Sequence, residues 1–235
     1  LTELLQSRWI RLIDGQARSS VGDTLFASIY PDGDEHSGIE FAAAGGGFFT
    51  PRPGRENHPV VEVTWHGARR FAARYGRRLP TEAEWEKAAR GTSGELGYFR
   101  FDNAGEPDSV GIGFPFPWGS ELHPSYFNYL GSGDPFETTV GVGTAPSGFF
   151  DGAVRGGFTT RSNASPYGIL DLAGNVSEWC LDTFVAYHGG ASPNLKVVRG
   201  GGWRSQPHWC QTFWRAGLPP GLTDNQVGFR TAASQ

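Results

Sequence analysis

Cys210 sits in the stretch RGGGWRSQPHWCQTFWRAG, residues 199–217, among Trp203, Trp209, Phe213 and Trp214. A thiol two residues from His208 points to nucleophilic chemistry: on a strand the two side chains would face the same way, and the imidazole could take the thiol proton. No carboxylate lies near in sequence to orient that histidine, since the nearest acids are Asp182 and Asp224. The other reading is a binding surface, because a segment this aromatic and this free of Asp, Glu and Lys is not an ordinary solvated loop. The chain's 2 cysteines, Cys180 and Cys210, form no CxxC pair and are too few for a disulfide framework, so they are either paired with each other or both reduced. The 6 histidines, at 36, 58, 66, 123, 188 and 208, never fall at i,i+3 or i,i+4, which disfavours a His-based zinc or iron site.

A second chemical feature is DLAGNVSEW, residues 171–179. The carboxylates of Asp171 and Glu178, with carbonyls at Gly174 and Val176, are hard oxygen donors at spacings of two and three around a turn, which suits Ca²⁺. The plainer reading is turn capping by Asp171 and Asn175.

The elements that would position these residues are clearest at 59–90, PVVEVTWHGARRFAARYGRRLPTEAEWEKAAR. VVEVTW alternates like a half-buried strand. Thr64 can cap a helix that turns Ala68, Phe71, Ala72 and Tyr75 inward and ends at Gly76. Thr81 and Glu84 form a capping box for a second helix, with Trp85, Ala88 and Ala89 inward and Gly91 as its stop. Residues 167–182 and 196–203 read as short strands and turns, and 226–233 as a closing strand. Residues 92–165, rich in Gly, Pro, Ser and aromatics, are too long for a plain connector. Helices early and short strands late predict an α+β domain.

Composition narrows the function. In 235 residues, 35 Gly and 16 Pro predict a loop-rich body, while 8 Trp argue against disorder. One domain over 1–235 fits this length. A net charge of −4 gives no polyanion footprint, and Arg69, Arg70, Arg74, Arg77 and Arg78 read as one helix face and its exit, so nucleic acid is not the expected partner. The longest apolar runs are too short for a membrane span, and no signal-peptide pattern opens the sequence, which leaves its compartment unassigned.

Together, HPVVEVTW, GRRLPTEAEWEKAARG, FPWG, YGILDLAGNVSEW, VRGGGW and VGFR resemble, in order and spacing, the formylglycine-generating-enzyme (sulfatase-modifying-factor) family. The likeness covers about residues 58–232, with 1–57 divergent. It implies a loop-rich variant of the C-type lectin fold with two helices and a small twisted antiparallel sheet. It also implies a calcium site at Asp171, Gly174, Val176 and Glu178, and a second beginning at Asn128 and the Tyr129 carbonyl, both structural. Some members are copper-dependent oxidases acting on a protein cysteine, and others are the variable proteins of diversity-generating retroelements, so function rests on the site.

The oxidase needs two facing thiolates for soft Cu(I). Laid over this sequence, one falls on Cys210 and the other on Ser205, whose hydroxyl cannot replace a thiolate. A family serine beside the site falls on Gly202. Copper is therefore disfavoured, and any oxidase here would use Cys210 with Ser205 in altered form. The resemblance to the variable proteins instead makes Arg204, Ser205, Gln206, His208, Trp209, Gln211, Phe213 and Trp214 a hypervariable surface for a protein or other macromolecular ligand. That mixture of rigid aromatics and short polar groups suits a paratope.

Overall fold

The computed structural model describes residues 38–42, 48–91, 115–137, 143–186 and 191–233, together with short strands at 10–13, 16–19, 24–26, 100–101 and 107–108. The strands are β1 (Ile10–Ile13), β2 (Gln16–Ser19), β3 (Thr24–Phe26), β4 (Ile39–Ala42), β5 (Phe48–Pro51), β6 (Arg77–Arg78), β7 (Arg100–Phe101), β8 (Pro107–Asp108), β9 (Val154–Arg155), β10 (Phe158–Thr159), β11 (Ser177–Val185), β12 (Ala191–Arg199), β13 (Arg215–Leu218), β14 (Val227–Gly228) and β15 (Ala232–Ala233). The helices are α1 (Trp65–Arg74) and α2 (Glu82–Arg90). Strands therefore also precede the helices, although none was expected before residue 59.

Both helices start where local chemistry puts them. The Thr64 hydroxyl accepts from the Gly67 N–H, and Thr81 and Glu84 close the expected capping box around α2. Gly91 ends α2 at φ 76°. The inward face of α1 is narrower than expected: Trp65, Ala68 and Ala72 are buried, but Phe71 and Tyr75 are 38% and 60% exposed. VVEVTW does not form a strand. Glu62 takes a left-handed φ of 58°, which breaks the alternation, and Val61 to Thr64 are all buried.

The central sheet runs β13-β12-β11-β14, antiparallel except for the parallel β11–β14 edge. It is covered on both faces. Trp179 and Val198 join Val63, Trp65, Ala68, Leu79 and Val227 on one side, whereas Cys180 and Val197 join Trp85, Ala89 and Leu172 on the other. Alternation along a strand produces this division, and each large side chain so buried contributes about 1.5–3 kcal/mol. The three tryptophans here satisfy their indole N–H groups on the Cys180 carbonyl (Trp65, 2.8 Å), the Val63 carbonyl (Trp179, 2.9 Å) and the Glu178 carboxylate (Trp85, 2.7 Å).

The expected closing strand at 226–233 is split into β14, beside β11, and β15, which pairs with β6. Between them Phe229 and Arg230 turn into the molecule. The loops at 115–137 and 143–150 carry two aromatic clusters, one of Phe116, Phe127 and Tyr129 with Ala173 and Cys210, the other of Phe149 and Phe150 with Ala145. Among the described residues no helix is long and apolar enough to cross a membrane.

Candidate functional site

Residues 200–214 leave the end of β12, cross the face of the loop clusters and return into β13. Their course is set by backbone contacts. The N–H of Trp203 donates to the Asn175 carbonyl, the Leu130 N–H to the Ser205 carbonyl, and the Thr212 N–H to the Pro115 carbonyl. Gly201 has φ 68°, and a Cβ there would lie 2.6 Å from Cys210 Sγ, so the segment's start and its cysteine pack directly on each other.

Buried arginines fix the far end of the segment. Arg199 is fully enclosed; its Nη1 donates to the carbonyls of Phe213 (3.1 Å) and Trp214 (2.9 Å), and its Nη2 to the Thr212 carbonyl (2.8 Å) and the Glu86 carboxylate (2.7 Å). Arg215 pairs with Glu82 through both Nε and Nη2. Sequence reasoning missed Arg199, Arg215, Glu82 and Glu86. The available signal was the i,i+4 spacing of the two acids on α2.

The thiols lie outside this surface. Cys210 falls in a 3-10 turn, Pro207–Cys210, not on a strand, so it and His208 do not share a face as expected. Cys210 is fully buried, and that burial pushes its pKa up to about 12. Burial likewise raises the Cys180 thiol far above its usual range, and both cysteines are free. Ser205, expected on the binding surface, is buried with its hydroxyl accepting from the Gly202 N–H at 2.9 Å. A Cβ on Gly202 would come within 2.8 Å of Gln226 Cβ, so a serine at that position has no room as the chain stands.

What reaches solvent is an aromatic face. Trp209 is 41% exposed and stacks on Trp214 at 6.0 Å between centroids, with His208 edge-on to both rings. Arg204 and Gln206 are exposed beside it, and Gln211 and Phe213 are half-buried. Arg204 lies over the Trp203 ring. Trp203 is half-buried: its indole N–H donates to the Asn225 carbonyl, and its ring covers Gly143, where a Cβ would come within 1.7 Å.

Of the donors expected to hold calcium at the Asp171–Glu178 turn, both carboxylates are already engaged. Both Glu178 oxygens accept from Arg230 (Nε 2.6 Å, Nη2 2.7 Å) and one also from Trp85, while Arg230 Nη2 also donates to the Asp171 carbonyl at 2.9 Å. The Asp171 carboxylate accepts from the Gly148 N–H and the Asn163 amide. Arg230 thus supplies the positive charge at this turn, and Glu178 does not fit a calcium ligand unless that guanidinium leaves. Gly174 donates its N–H to the Gly200 carbonyl, and Val176 is buried beside it. At the second expected site, the Asn128 amide donates to the Gly143 carbonyl, the Asn128 carbonyl accepts from Asn175, and the Tyr129 carbonyl accepts from Ser132. Residues 140–142, where an acidic partner for this site would fall, are Val, Gly and Val and lie outside the described residues. Among the described residues no cluster of three or more His, Cys, Asp or Glu side chains could hold a metal ion.

Residues 36–235 match the sulfatase-modifying factor enzyme 1-like domain, so the likeness begins earlier than residue 58. The formylglycine-generating enzyme of Streptomyces coelicolor is 31% identical over 76% of this chain and 54% of that protein. The inactive C-alpha-formylglycine-generating enzyme 2 of Mus musculus is 32% identical over 75% of this chain and 49% of that protein. The chain spans from a quarter to a little over half the length of the curated relatives it matches. Among solved structures, PvdO from Pseudomonas aeruginosa is similar at 23% identity with a TM-score of 0.52, over 88% of this chain and 70% of that one. That likeness concerns the fold, and it agrees with the loop-rich α+β, C-type-lectin-like arrangement expected from the sequence.

Proposed function

The chain belongs to the sulfatase-modifying factor enzyme 1-like domain family, and within that family we propose that it is a non-catalytic ligand-binding protein whose working surface is the aromatic face of residues 204–214. One observation carries the reading. Where a copper oxidase needs two facing thiolates, this chain has a buried Ser205 hydroxyl engaged by the Gly202 N–H and a Cys210 thiol that stays protonated at neutral pH. Beside that spent site, Trp209 and Trp214 stand as rigid aromatic anchors among polar groups of several sizes, the composition of a paratope. A relative carrying the word inactive in its name supports the idea that the scaffold outlives the chemistry.

The partner on this reading is a protein or other macromolecule, and residues 204–214 are the diversified segment of a retroelement variable protein. Calcium has no assigned part, because Arg230 takes the Glu178 carboxylate.

Two arms test the proposal. In the first, Cu(I) titration and oxygen uptake on a cysteine-containing sulfatase peptide, with Cys210→Ser as control, are expected to show neither tight copper binding nor turnover. Turnover that Cys210→Ser abolishes would establish the oxidoreductase reading instead. In the second, peptides selected from a random library on the protein are expected to lose binding to a Trp209→Ala/Trp214→Ala variant, and equal binding would remove the aromatic face from the proposal. Diversification is read from the neighbouring DNA, where an adjacent reverse transcriptase and an imperfect copy of the 199–230 coding region are expected.

A further inference from the structure

A cavity of about 430 Å³ shares no lining residue with the aromatic face. The β4–β5 hairpin supplies Ile39 and Phe49 on one side, and Val60, Phe71 of α1 and Phe229 form the other. Phe71 and Phe229 meet edge to face at 5.4 Å, so the apolar wall is a packed surface and not a collection of loose side chains. Cavities that hold small molecules run from about 300 to 1,000 Å³ and pair an apolar lining with a few placed polar groups. This volume sits at the lower end, which favours a ligand of about one ring over a dinucleotide or a lipid chain.

The polar group placed here is Arg55. Its Nη1 bonds His58 Nδ1 and Thr144 Oγ1, each at 3.1 Å. Arginine can only donate, so Nδ1 of His58 is an acceptor and the ring proton lies on Nε2. His58 is neutral at pH 7, since burial and the Arg55 charge push its pKa down to about 4. The cationic guanidinium is thus half-buried against neutral partners. The carboxylate of Glu56, also at the rim, accepts from the Gly54 N–H at 3.1 Å and is not in an ion pair with Arg55. Burial, and after it the like charge of Arg52, push the Arg55 pKa down. Among the described residues no carboxylate lies within ion-pair distance of Arg55, and its Nε–Nη2 edge makes no hydrogen bond.

A half-buried guanidinium with one edge open, beside an aromatic-walled cavity, has the makings of a carboxylate fork. We propose that this cavity binds a small aromatic monocarboxylate, its ring among Phe49, Phe71 and Phe229 and its carboxylate on Arg55. The site is separate from the surface of residues 204–214 and does not depend on what that surface binds.

The test is calorimetric titration of the full chain with 3-phenylpropionate, beside 3-phenylpropanol and 3-phenylpropylamine. Saturable binding of the acid is expected, weakened at least about tenfold for the alcohol and for Arg55→Gln, since the charge-assisted pair is lost in both. Phe71→Glu puts a carboxylate at the mouth from a partly exposed position, so it spares the fold and is expected to abolish binding. Circular dichroism and thermal melts establish that each variant is folded. The proposal is overturned if the alcohol binds as tightly as the acid, if folded Arg55→Gln or Phe71→Glu binds the acid undiminished, or if the acid does not saturate in the millimolar range.

Discussion

Replacing Arg199 with Met is expected to cost the fold about 3–5 kcal/mol, the usual consequence of removing one partner from a buried ionic network. Methionine keeps much of the stem's volume but strips a donor from the carbonyls of Thr212, Phe213 and Trp214 and from Glu86. Hydrogen bonds to charged groups are worth about 1.5–3 kcal/mol each, and adding four of them would overshoot. Glu86 is 36% exposed and regains water, the loosened carbonyls rehydrate, and the buried Arg199 Nε, which has no hydrogen-bond partner, is no longer a liability. For a domain of this size each kcal/mol moves Tm by about 2–4 °C, so a drop of roughly 6–20 °C is expected by scanning calorimetry. Glu86→Gln, at the half-exposed end of the same pair, is expected to cost less than about 1 kcal/mol. An Arg199→Met protein melting within about 2 °C of the parent, or a Glu86→Gln variant falling as far, would refute the view that this guanidinium clamps the segment.

Four further outcomes follow from the same geometry. Changing Gln206, His208 and Gln211 together to Ser is expected to shift Tm by no more than about 2–4 °C, because none of their side chains makes a hydrogen bond that holds the segment; a fall as large as that of Arg199→Met counts against a display surface. Neither cysteine is expected to react with a thiol reagent at pH 8 in the native protein, and both are expected to react in denaturant; fast native labelling of Cys210 contradicts its burial. Saturating EGTA is expected to leave Tm unchanged and Arg230→Met to lower it, whereas an EGTA-induced fall would restore calcium at the Asp171–Glu178 turn. His58 has a folded pKa of about 4, below its unfolded 6.5, so its contribution to stability is complete above pH 6.5 and is lost as pH falls toward 4; a His58 ring titrating near 6.5 by NMR contradicts the pocket's packing.

The parts legible in the sequence are those whose causes lie within a few residues. The Thr64 cap, the Thr81–Glu84 box and the Gly91 stop each need a partner no more than four positions away, and all form as expected. What the sequence left unread was decided at long range. Glu178 looked like an oxygen donor for calcium because its partners, Trp85 and Arg230, stand 93 and 52 residues away. Ser205 looked exposed because the Leu130 N–H that ties down its carbonyl comes from a different loop. VVEVTW had strand periodicity, but a strand needs an edge to pair with, and Glu62 instead donates its N–H to the Asp224 carbonyl. The Arg55–His58–Thr144 group gave no signal at all, since Thr144 lies in the long stretch that composition marked only as loop.

The way residues 200–214 are held bears on why one fold can serve both catalysis and recognition. The ties come from Asn175, Leu130, Pro115 and Arg199, and each ends on a backbone N–H or carbonyl of the segment. A backbone anchor does not depend on residue type, so Gln206, His208, Trp209, Gln211 and Trp214 can change identity while the course of the chain stays put. The positions that cannot vary are recognisable by the same logic. Gly201 must leave room for Cys210, Gly202 must leave room for Gln226, and Cys210 fills the core beneath the turn. A catalytic thiol pair would add a demand on side chains at 205 and 210 that the anchoring itself does not make. Exchanging one of those thiols for Ser205 removes that demand and leaves every tie intact. On the proposed reading, the segment is then specified by what it binds.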